Sequence, residues 1–346
     1  MIKDARKYGI YGMTDKDVVA VGGVTLVTGA TGFLGPHLVW EAAARRPVLA
    51  VDRRAPDETV RAFLARDAER ASWVTWVQAD VTDYGSFFHA LSGHAISHAI
   101  HAAAITPNAA MEAAGMRETI GVNVLGTANA LDLAREYGVQ RTVVFSSSSV
   151  YAANDGSPLT EEAPWRDTSA YAVSKQSIER IMAHAVHGYG MDIVAVRPAA
   201  LFGPLERPTG AREAMSGVYD LMHAALADEE IHIYDDGLTR DVTAASEVAR
   251  AVVAILHARE LSHRVYNLGA GRGYTLPEIL AAVQAAVPKA HYRFVPPNEA
   301  TIPFGMSVRR GPLDMTRFER DLGFSLTNDL AAHLIEYRNW LRDHPY

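Results

Sequence analysis

The chain has 346 residues, 49% of them hydrophobic, which is enough apolar material for one large α/β domain or for two lobes. Its 33 basic and 40 acidic residues give a formal net charge of -7, which indicates neither a nucleic-acid partner nor an anionic membrane. The chain has no cysteine and no HExxH-like histidine pairing, which excludes disulfides, thiolate metal sites, cysteine nucleophiles and zinc hydrolysis of that type. These absences lead us to expect no metal site. No segment has the apolar length of a membrane span or a signal peptide, so we expect a cytoplasmic protein.

Residues 1–23 are polar, and we interpret them as an N-terminal extension. The apolar run at residues 24–27 then predicts a strand buried on both faces. Glycines at GxxGxxG spacing and a run of helix formers follow. This order favours a dinucleotide site, because the glycines let backbone approach a pyrophosphate and the helix N-terminus offers free N–H groups. A glycine turn without a ligand is the alternative. The predicted cofactor-binding residues of the turn are Gly29, Thr31, Gly32, Phe33, Leu34 and Gly35.

The second predicted strand, at residues 48–51, ends at Asp52, twenty residues after Gly32. A carboxylate at this position accepts hydrogen bonds from the adenosine ribose hydroxyls and repels a 2′-phosphate, which favours NAD. NADP is the alternative, because an arginine after the strand can hold the 2′-phosphate, and Arg53 and Arg54 follow directly. We predict that Asp52 and Arg53 contact the cofactor.

A third strand is predicted at residues 73–77, and Asp80 and Val81 follow it. A carboxylate there can face the adenine edge, while a valine can pack on the ring. The alternative for Asp80 is a helix N-cap, which Thr82 or Asp83 can supply equally well.

The fourth predicted strand ends in small residues, which let the ribose and nicotinamide of a cofactor lie close to backbone. Tight packing without a ligand is the alternative. The small residues are Ala102, Ala103 and Ala104.

Strands and helices alternate through the first half, which predicts a doubly wound parallel sheet of Rossmann type with its ligand at the carboxyl ends of the strands. The remaining predicted elements are helices at 58–70 and 117–137 (the second ended by Gly138) and strands at 95–101, 142–145, 193–196 and 265–268. We predict an NAD-binding domain over residues 24–197. Residues 198–346 are predicted to form mainly a smaller substrate lobe, with segments that return to the first domain.

Four serines at residues 146–149 lie at the carboxyl end of the fifth predicted strand, where ligands bind. Tyr171 and Lys175 begin a helix four residues apart, so they share one helical face. A nearby ammonium favours the phenolate, so Lys175 can lower the pKa of Tyr171 toward that of a base at neutral pH. A surface Tyr and Lys, and serines that form a turn or cap, are the alternatives. The combination with the glycine turn is the strongest functional signal.

These motifs resemble the extended short-chain dehydrogenase/reductase family, in its NAD-dependent nucleotide-sugar epimerase and dehydratase branch. The resemblance extends from Val24 to the C-terminus. The matching segments are TGATGFLG at 28, Asp52, Asp80-Val81, HAAA at 101, Asn123 in NVLGT, FSSSSVY at 145, YAVSK at 171, RPAALFGP at 197, DGLTRD at 236, YNLGAG at 266 and LGF at 322.

The resemblance implies that Tyr171 is the catalytic base and that Lys175 lowers its pKa and binds the nicotinamide ribose. It implies that Ser147 orients the reacting hydroxyl. Asn123 and Pro198 are predicted to join Tyr171 and Lys175 in binding the cofactor.

Relatives in this family pair through two helices of each subunit, which implies a two-fold homodimer. The matching segments are residues 117–137 and 169–188. Both carry apolar residues beyond one core-facing stripe, such as Ile178, Ile181 and Val186.

Two departures from family patterns and one match bear on the reaction. Dehydratases carry Asp-Glu after the catalytic Thr, whereas this chain has Ser148 and Ser149, so dehydration ranks behind epimerisation and simple oxidation. Ala200 replaces an asparagine that helps many relatives to hold a nucleotide sugar, which weakens that substrate class. Arg240 supports it, because it matches an arginine that often meets the diphosphate.

The segment between these motifs carries Arg207 and Arg212, and guanidinium groups bind carboxylate or phosphate in a bidentate manner. An anionic group on the substrate is therefore our interpretation, with solvated arginines as the alternative. The predicted substrate-binding residues are Thr106, Ser147, Ser148, Ala200, Arg207, Arg212 and Arg240.

We predict an NAD-dependent oxidoreductase or 4-epimerase that acts on a secondary hydroxyl of a sugar or nucleotide sugar. Tyr171 would take the hydroxyl proton while hydride passes to the nicotinamide. The first alternative is a dehydrogenase that releases the oxidised product of a small sugar acid, lactone or polyol. The second is a non-catalytic, NAD-sensing protein.

Overall fold

The computed structural model describes residues 23–166, 169–302, 304 and 309–346. Of the predicted extension at residues 1–23, only Gly23 falls within these ranges. The described residues form one seven-stranded sheet and two short two-stranded sheets. Within them, no helix combines the length and apolarity that crossing a bilayer requires.

The strands of the seven-stranded sheet lie within two residues of their predicted bounds. All eleven strands, in chain order, are β1 (Val24–Thr28), β2 (Val48–Asp52), β3 (Val74–Gln78), β4 (Ile96–His101), β5 (Arg141–Phe145), β6 (Ile193–Pro198), β7 (Ala200–Phe202), β8 (Ile231–Ile233), β9 (Val242–Ala244), β10 (Val265–Leu268) and β11 (Tyr292–Phe294). The large sheet has the order β3-β2-β1-β4-β5-β6-β10, and every pair in it is parallel. This confirms the predicted doubly wound sheet. Its order reverses between β1 and β4, which leaves a crevice at the carboxyl ends of the strands.

Helices cover both faces of the sheet. They are α1 (Gly35–Ala43), α2 (Glu58–Ala65), α3 (Ala68–Ser72), α4 (Tyr84–Ala90), α5 (Ala109–Ala114), α6 (Arg117–Ile120), α7 (Gly126–Glu136), α8 (Ala170–Tyr189), α9 (Gly217–Leu226), α10 (Ala245–His257), α11 (Leu276–Ala286), α12 (Thr316–Leu322) and α13 (Leu330–Asp343). Val27 of β1 packs in one cluster with Leu38 of α1 and Val252 of α10. Its neighbour Leu26 points the other way and packs with Phe87 of α4. Full burial of each such side chain contributes about 1.5–3 kcal/mol.

Two predicted helices are divided in the structure. The stretch at 58–70 becomes α2 and α3, because the Asp67 carboxylate caps α3 by accepting two backbone N–H groups of its first turn. The stretch at 117–137 contains a π-helical turn, Gly121–Leu125, between α6 and α7. It ends near Gly138, whose φ of +64° lies in the left-handed region that glycine favours.

A second, smaller core lies beyond β6. The pairs β7–β9 and β8–β11 are both parallel. This core joins Phe202 of β7, Val218 of α9, Ile279 of α11 and Tyr337 of α13. Meanwhile β10 pairs with β6, and α10 packs against α1, so both return to the larger unit. The smaller core lies within residues 198–346, the range that sequence analysis assigns mainly to a substrate lobe.

The apolar residues that sequence reasoning assigned to a dimer face serve the fold instead. Ile178 of α8 is 2% exposed and packs with Val144 and Ala195 of the sheet. Ile181 and Val186 are partly buried against the same cluster. These side chains therefore stabilise the chain itself rather than face outward.

Candidate active site

A cleft opens at the carboxyl ends of the central strands, beside the glycine turn that follows β1. Gly29 has a φ of +70°, and a Cβ there would lie 2.7 Å from the backbone of Ala103, so the turn requires glycine. Leu34 precedes α1 and provides no side-chain cap. Pro36 has no N–H and that of Leu38 donates to the carbonyl of Leu34, so the N–H groups of Gly35 and His37 remain available to an anion, as a pyrophosphate needs.

Most predicted cofactor residues line this cleft. They are Gly29, Gly32, Phe33, Leu34, Gly35, Asp52, Arg53, Asp80, Val81, Ala102, Ala103, Ala104, Tyr171, Lys175 and Pro198. The uncapped helix and the close approach of backbone at the turn fit the pyrophosphate of a dinucleotide. Across the described residues, no group of three His, Asp or Glu side chains is placed to hold a metal ion.

The Asp52 carboxylate is held by the glycine turn. Its Oδ2 accepts the backbone N–H of Thr31 at 3.0 Å, and its Oδ1 accepts that of Arg54 at 3.2 Å. The Arg54 guanidinium donates to the carbonyl of Thr209 at 2.6 Å, on the C-terminal lobe. Arg53 lines the cleft. These contacts fix the carboxylate at the end of β2, where the ribose of a dinucleotide is expected.

Asp80 and Val81 line the cleft, and the structure tests the capping role considered for Asp80. The N-cap of α4 is Asp83, whose Oδ1 accepts the backbone N–H of Ser86 at 3.1 Å. Asp80 Oδ1 instead accepts the N–H and the hydroxyl of Thr82, at 2.8 and 2.7 Å. Asp80 therefore does not cap the helix.

Asn123 and Thr31, both predicted to contact the cofactor, are buried next to Val122 and Gly32, which line the cleft. Asn123 is fully buried: its Oδ1 accepts the Ile105 N–H at 2.7 Å, and its Nδ2 donates to Ser174 Oγ at 2.9 Å. It thus ties the segment after β4 to α8. Thr31 uses its backbone N–H for Asp52, and its buried hydroxyl has no partner among the described residues.

The N-terminus of α8 carries Tyr171 into the cleft. Ser169 caps the helix, because its Oγ accepts the N–H of Ala172 at 3.0 Å. The Glu112 carboxylate accepts the N–H groups of Ala170 and Tyr171, each at 3.2 Å. The backbone of Tyr171 is thereby fixed to α5.

Lys175 lies one helical turn after Tyr171 and is 2% exposed. Its Nζ donates to the carbonyl of Phe145 at 2.9 Å and lies 5.5 Å from the centroid of the Tyr171 ring. Burial lowers the pKa of Lys175, and Tyr171 opposes that shift. Burial, with a smaller effect of Lys175, lowers the pKa of nearby His101 to about 3, so this histidine is neutral.

A second cavity adjoins the cleft where the chain leaves β6: Pro198 lines the cleft and Ala200 lines the cavity. The serine run divides between them, with Ser146 in the cleft and Ser148 in the cavity. Ser147 lies between the two, and its Oγ accepts the backbone N–H of Ser149 at 3.1 Å. The residues on either side of the predicted catalytic serine thus line the cleft and the cavity, respectively.

Two guanidinium groups line the second cavity. Arg240 donates from Nε and Nη2 to the carbonyl of Phe304, at 3.0 and 2.6 Å, and from Nη2 to Asp236 at 2.7 Å. Arg310 donates from Nη1 to the carbonyl of Ser148 at 2.6 Å. Sequence reasoning missed Arg310, although the RRG segment at 309 offered a signal.

Sequence reasoning also missed a buried ion pair behind the cleft. Arg197 donates from Nη2 to Glu179 at 2.6 Å and from Nη1 to the hydroxyl of Tyr151 at 2.8 Å. Glu179 also accepts the hydroxyl of Ser146 at 2.5 Å. The available signal was the spacing of Glu179, four residues after Lys175 on the same face of α8. The pair anchors the start of the serine run.

Three of the predicted substrate residues do not line the second cavity. Arg207 forms an ion pair with Asp57 at 2.5 Å and lines neither cavity. Arg212 and Thr106 line the cofactor cleft instead. The cause is a long-range contact: the N–H of Thr106 donates to the carbonyl of Ala211 at 2.7 Å, which draws this segment to the cofactor side.

Comparisons with known proteins agree with this geometry. The NAD dependent epimerase/dehydratase family model matches residues 25–269. The chain is 30% identical to UDP-glucuronate 4-epimerase of Thermodesulfobacterium geofontis over 266 residues, 72% of this chain and 76% of the relative. It is 29% identical to UDP-glucose 4-epimerase of Mycolicibacterium smegmatis, over 91% of this chain and 98% of the relative.

Solved structures show the same likeness. MoeE5 in complex with UDP-glucuronic acid and NAD has a TM-score of 0.74 at 30% identity, covering 93% of this chain and 99% of that chain. UDP-glucose-4-epimerase from Stenotrophomonas maltophila has a TM-score of 0.80 at 23% identity, covering 93% and 98%, and shares the fold.

The fold and the cleft define an NAD-dependent enzyme of the extended short-chain dehydrogenase/reductase type. The chain belongs to the NAD dependent epimerase/dehydratase family. Its cofactor is therefore NAD.

Proposed function

We propose that the chain is a 4-epimerase of a nucleotide sugar. The observation that carries the proposal is the position of Tyr171, which lines the NAD cleft one helical turn before the buried ammonium of Lys175. A second cavity with two guanidinium groups adjoins this cleft. The oxidation of a sugar hydroxyl needs a proton acceptor beside a dinucleotide, and an anion site next to them suits a charged sugar substrate.

In this proposal Tyr171 accepts the proton of the substrate hydroxyl and later returns it. Lys175, held on the carbonyl of Phe145, stabilises the phenolate. Ser147 orients the reacting hydroxyl, because its Oγ accepts from Ser149 and its own O–H can still donate. When bound, NAD supplies reversible hydride acceptance.

The second cavity is the proposed site of the nucleotide sugar. Arg310 brings a guanidinium for a diphosphate, while Arg240, paired with Asp236, and Asp241 line the same cavity. Ser148 and Ala200 also line it. The names of two relatives, a UDP-glucuronate 4-epimerase and a protein solved with UDP-glucuronic acid, support a UDP-hexuronate or UDP-hexose. On this proposal residues 24–197 bind NAD, and residues 198–346 contribute mainly substrate contacts.

Epimerisation is favoured over dehydration by the serine run. Expulsion of water needs an acid and a base near the sugar. Ser148 lines the second cavity, and the hydroxyl of Ser149 is buried with no partner among the described residues. Neither position offers a carboxylate.

The reaction is tested by incubating the purified protein with UDP-glucuronate, UDP-glucose and free glucuronate, then separating epimers by chromatography while recording NADH absorbance. We expect the 4-epimer of a UDP-sugar without net NADH. Stoichiometric NADH with a released ketone would show a dehydrogenase. Turnover of free glucuronate alone would reject the nucleotide sugar, and the absence of any turnover would favour an NAD-binding protein without catalysis.

The substrate site is tested with Arg310→Gln and its neighbour control, Arg309→Gln. Arg310 lines the second cavity, whereas Arg309 is exposed and lies outside it. Loss of a charge-assisted hydrogen bond of about 1.5–3 kcal/mol should raise KM for the nucleotide sugar roughly ten- to hundredfold. Arg309→Gln should match the wild type. Equal KM values for both variants would contradict the assignment of this cavity.

A further inference from the structure

The segment of residues 205–216, here termed the strap, crosses the NAD cleft from the C-terminal lobe. The N–H of Thr106 donates to the carbonyl of Ala211 at 2.7 Å, and the N–H of Glu213 donates back to Thr106 at 3.3 Å. At its outer edge the carbonyl of Thr209 accepts from Arg54 at 2.6 Å. Ala211 and Thr209 line the cleft, and so does Arg212 between Ala211 and Glu213.

Arg212 is held in place by a buried carboxylate. Its Nη2 donates to Glu206 Oε1 at 2.8 Å, and Glu206 is fully buried. The same carboxylate accepts the N–H and the hydroxyl of Ser216, at 2.7 and 2.9 Å. Glu206 thus fixes the guanidinium of Arg212 from behind. The Nε of Arg212 is buried and has no partner among the described residues.

The guanidinium carbon of Arg212 lies 4.9 Å from the centroid of the Phe33 ring. Phe33 directly follows Gly32 in the turn that leads into α1, where the N–H groups lack a side-chain cap. The other cations that line the cleft lie away from this turn. Lys175, on α8, donates to the last residue of β5, and Arg53 and Arg54 follow β2. Arg212 is therefore the cation that contacts the glycine turn.

We propose that Arg212 binds the pyrophosphate of NAD from the C-terminal lobe, so that the strap closes over the cofactor. The glycine turn and α1 contact this anion with neutral N–H groups, and Arg212 adds the donors of a charged guanidinium from the other side. A guanidinium suits two phosphate oxygens, because its donors form a planar fork. Glu206 and Phe33 hold that fork before the cofactor arrives. This assignment goes beyond the proposed reaction, since it concerns a cofactor contact of the C-terminal lobe.

The test compares Arg212→Gln with Arg207→Gln by calorimetric titration of NAD, ADP-ribose and adenosine. Arg207 belongs to the same strap but is paired with Asp57 outside the cleft, so it is a matched control for charge. Arg212→Gln should weaken NAD and ADP-ribose roughly ten- to hundredfold and leave adenosine within about twofold, because adenosine lacks the pyrophosphate. Arg207→Gln should match the wild type for all three ligands.

Removal of Arg212 leaves the buried Glu206 unpaired, which can destabilise the fold. The double variant Glu206→Gln/Arg212→Gln avoids the unpaired charge and should show the same selective loss, with its folding checked by circular dichroism. NAD and ADP-ribose affinities within about twofold of the wild type in this folded variant would overturn the proposal. An equal loss for adenosine would also overturn it, because the strap would then only pack on the nucleoside. No sugar substrate is used, so this outcome is independent of the reaction.

Discussion

Lys175 Nζ donates to the carbonyl oxygen of Phe145 at 2.9 Å, which joins the first turns of α8 to the carboxyl end of β5. The ammonium is 2% exposed, so the backbone carbonyl replaces part of its lost hydration. Tyr171 lies one turn before it, with its ring at the cleft. This hydrogen bond thus fixes the ammonium between the end of β5 and the helix that carries the proposed catalytic phenol.

Tyr171→Phe should preserve the fold and NAD binding, because it removes one hydroxyl from an open cleft. Epimerisation should fall by about hundredfold to ten-thousandfold, as is typical for the loss of a general base. Turnover and NAD affinity are measured side by side, with Tyr189→Phe at the exposed far end of α8 as the control. If Tyr171→Phe retained most activity, the proton transfer would have to be assigned to another group.

Lys175→Met should lower turnover and weaken NAD together, because the resemblance assigns this side chain to both the tyrosine and the nicotinamide ribose. Methionine fills a similar volume without a buried charge, so we expect the variant to fold. NAD titration and turnover are compared with the exposed variant Lys289→Met. Unchanged NAD affinity would separate Lys175 from the ribose, whereas unchanged turnover would reject its effect on Tyr171.

Asp52→Asn should narrow the preference for NAD over NADP. The carboxylate follows β2 and is fixed by the N–H of Thr31, so it should repel a 2′-phosphate in the wild type. Asparagine keeps an acceptor for Thr31 but removes the charge. NAD and NADP are each titrated into the wild type and Asp52→Asn. The control is Asp80→Asn, which removes another carboxylate of the cleft and should leave the ratio of NAD to NADP affinity unchanged. Tighter binding of NADP by the wild type would indicate that Arg53 governs the pocket.

The free energy of unfolding should decrease as the pH falls below 6.5, and His101 should contribute to this decrease. Burial lowers its pKa from 6.5 to about 3, so below pH 6.5 the unfolded chain binds a proton that the native state does not. The free energy of unfolding then decreases with falling pH, by about 1.4 kcal/mol per unit for this group, until its native pKa is reached.

Urea unfolding at about pH 7, 6 and 5 measures this slope. His101→Gln should flatten it, because glutamine does not titrate, whereas the exposed control His89→Gln should leave it unchanged. Equal slopes for the wild type and His101→Gln would show that His101 is protonated in the native state at those pH values.

The enzyme should form a two-fold dimer through the faces of α6 to α8. Met116, Leu125 and Val173 are exposed there by 64%, 51% and 38%, which is unusual for apolar side chains grouped on neighbouring elements. Leu125→Glu should shift the protein to a monomer, while Phe294→Glu, at an exposed position on β11, should not. Light scattering at micromolar concentration measures the oligomeric state of the wild type and both variants. A monomeric wild type would contradict the prediction.

The fold was largely predictable because its signals are local. Central strands such as β1 and β2 are short apolar runs, and burial on both faces of a parallel sheet requires such runs. The glycine turn is also local, since the backbone of Gly29 itself must adopt a positive φ. The shared face of Tyr171 and Lys175 follows from helical periodicity alone.

The tertiary structure alone decided which cavity each polar side chain reaches. Asn123 and the two strap arginines, Arg207 and Arg212, carried the right chemistry for a ligand, yet Asn123 holds α8 and Arg207 pairs with Asp57. Arg212 reaches the cofactor cleft because Thr106, more than a hundred residues earlier, hydrogen-bonds the strap. Sequence spacing predicts neighbours within one helix or strand, whereas contacts between distant segments depend on how the two lobes pack.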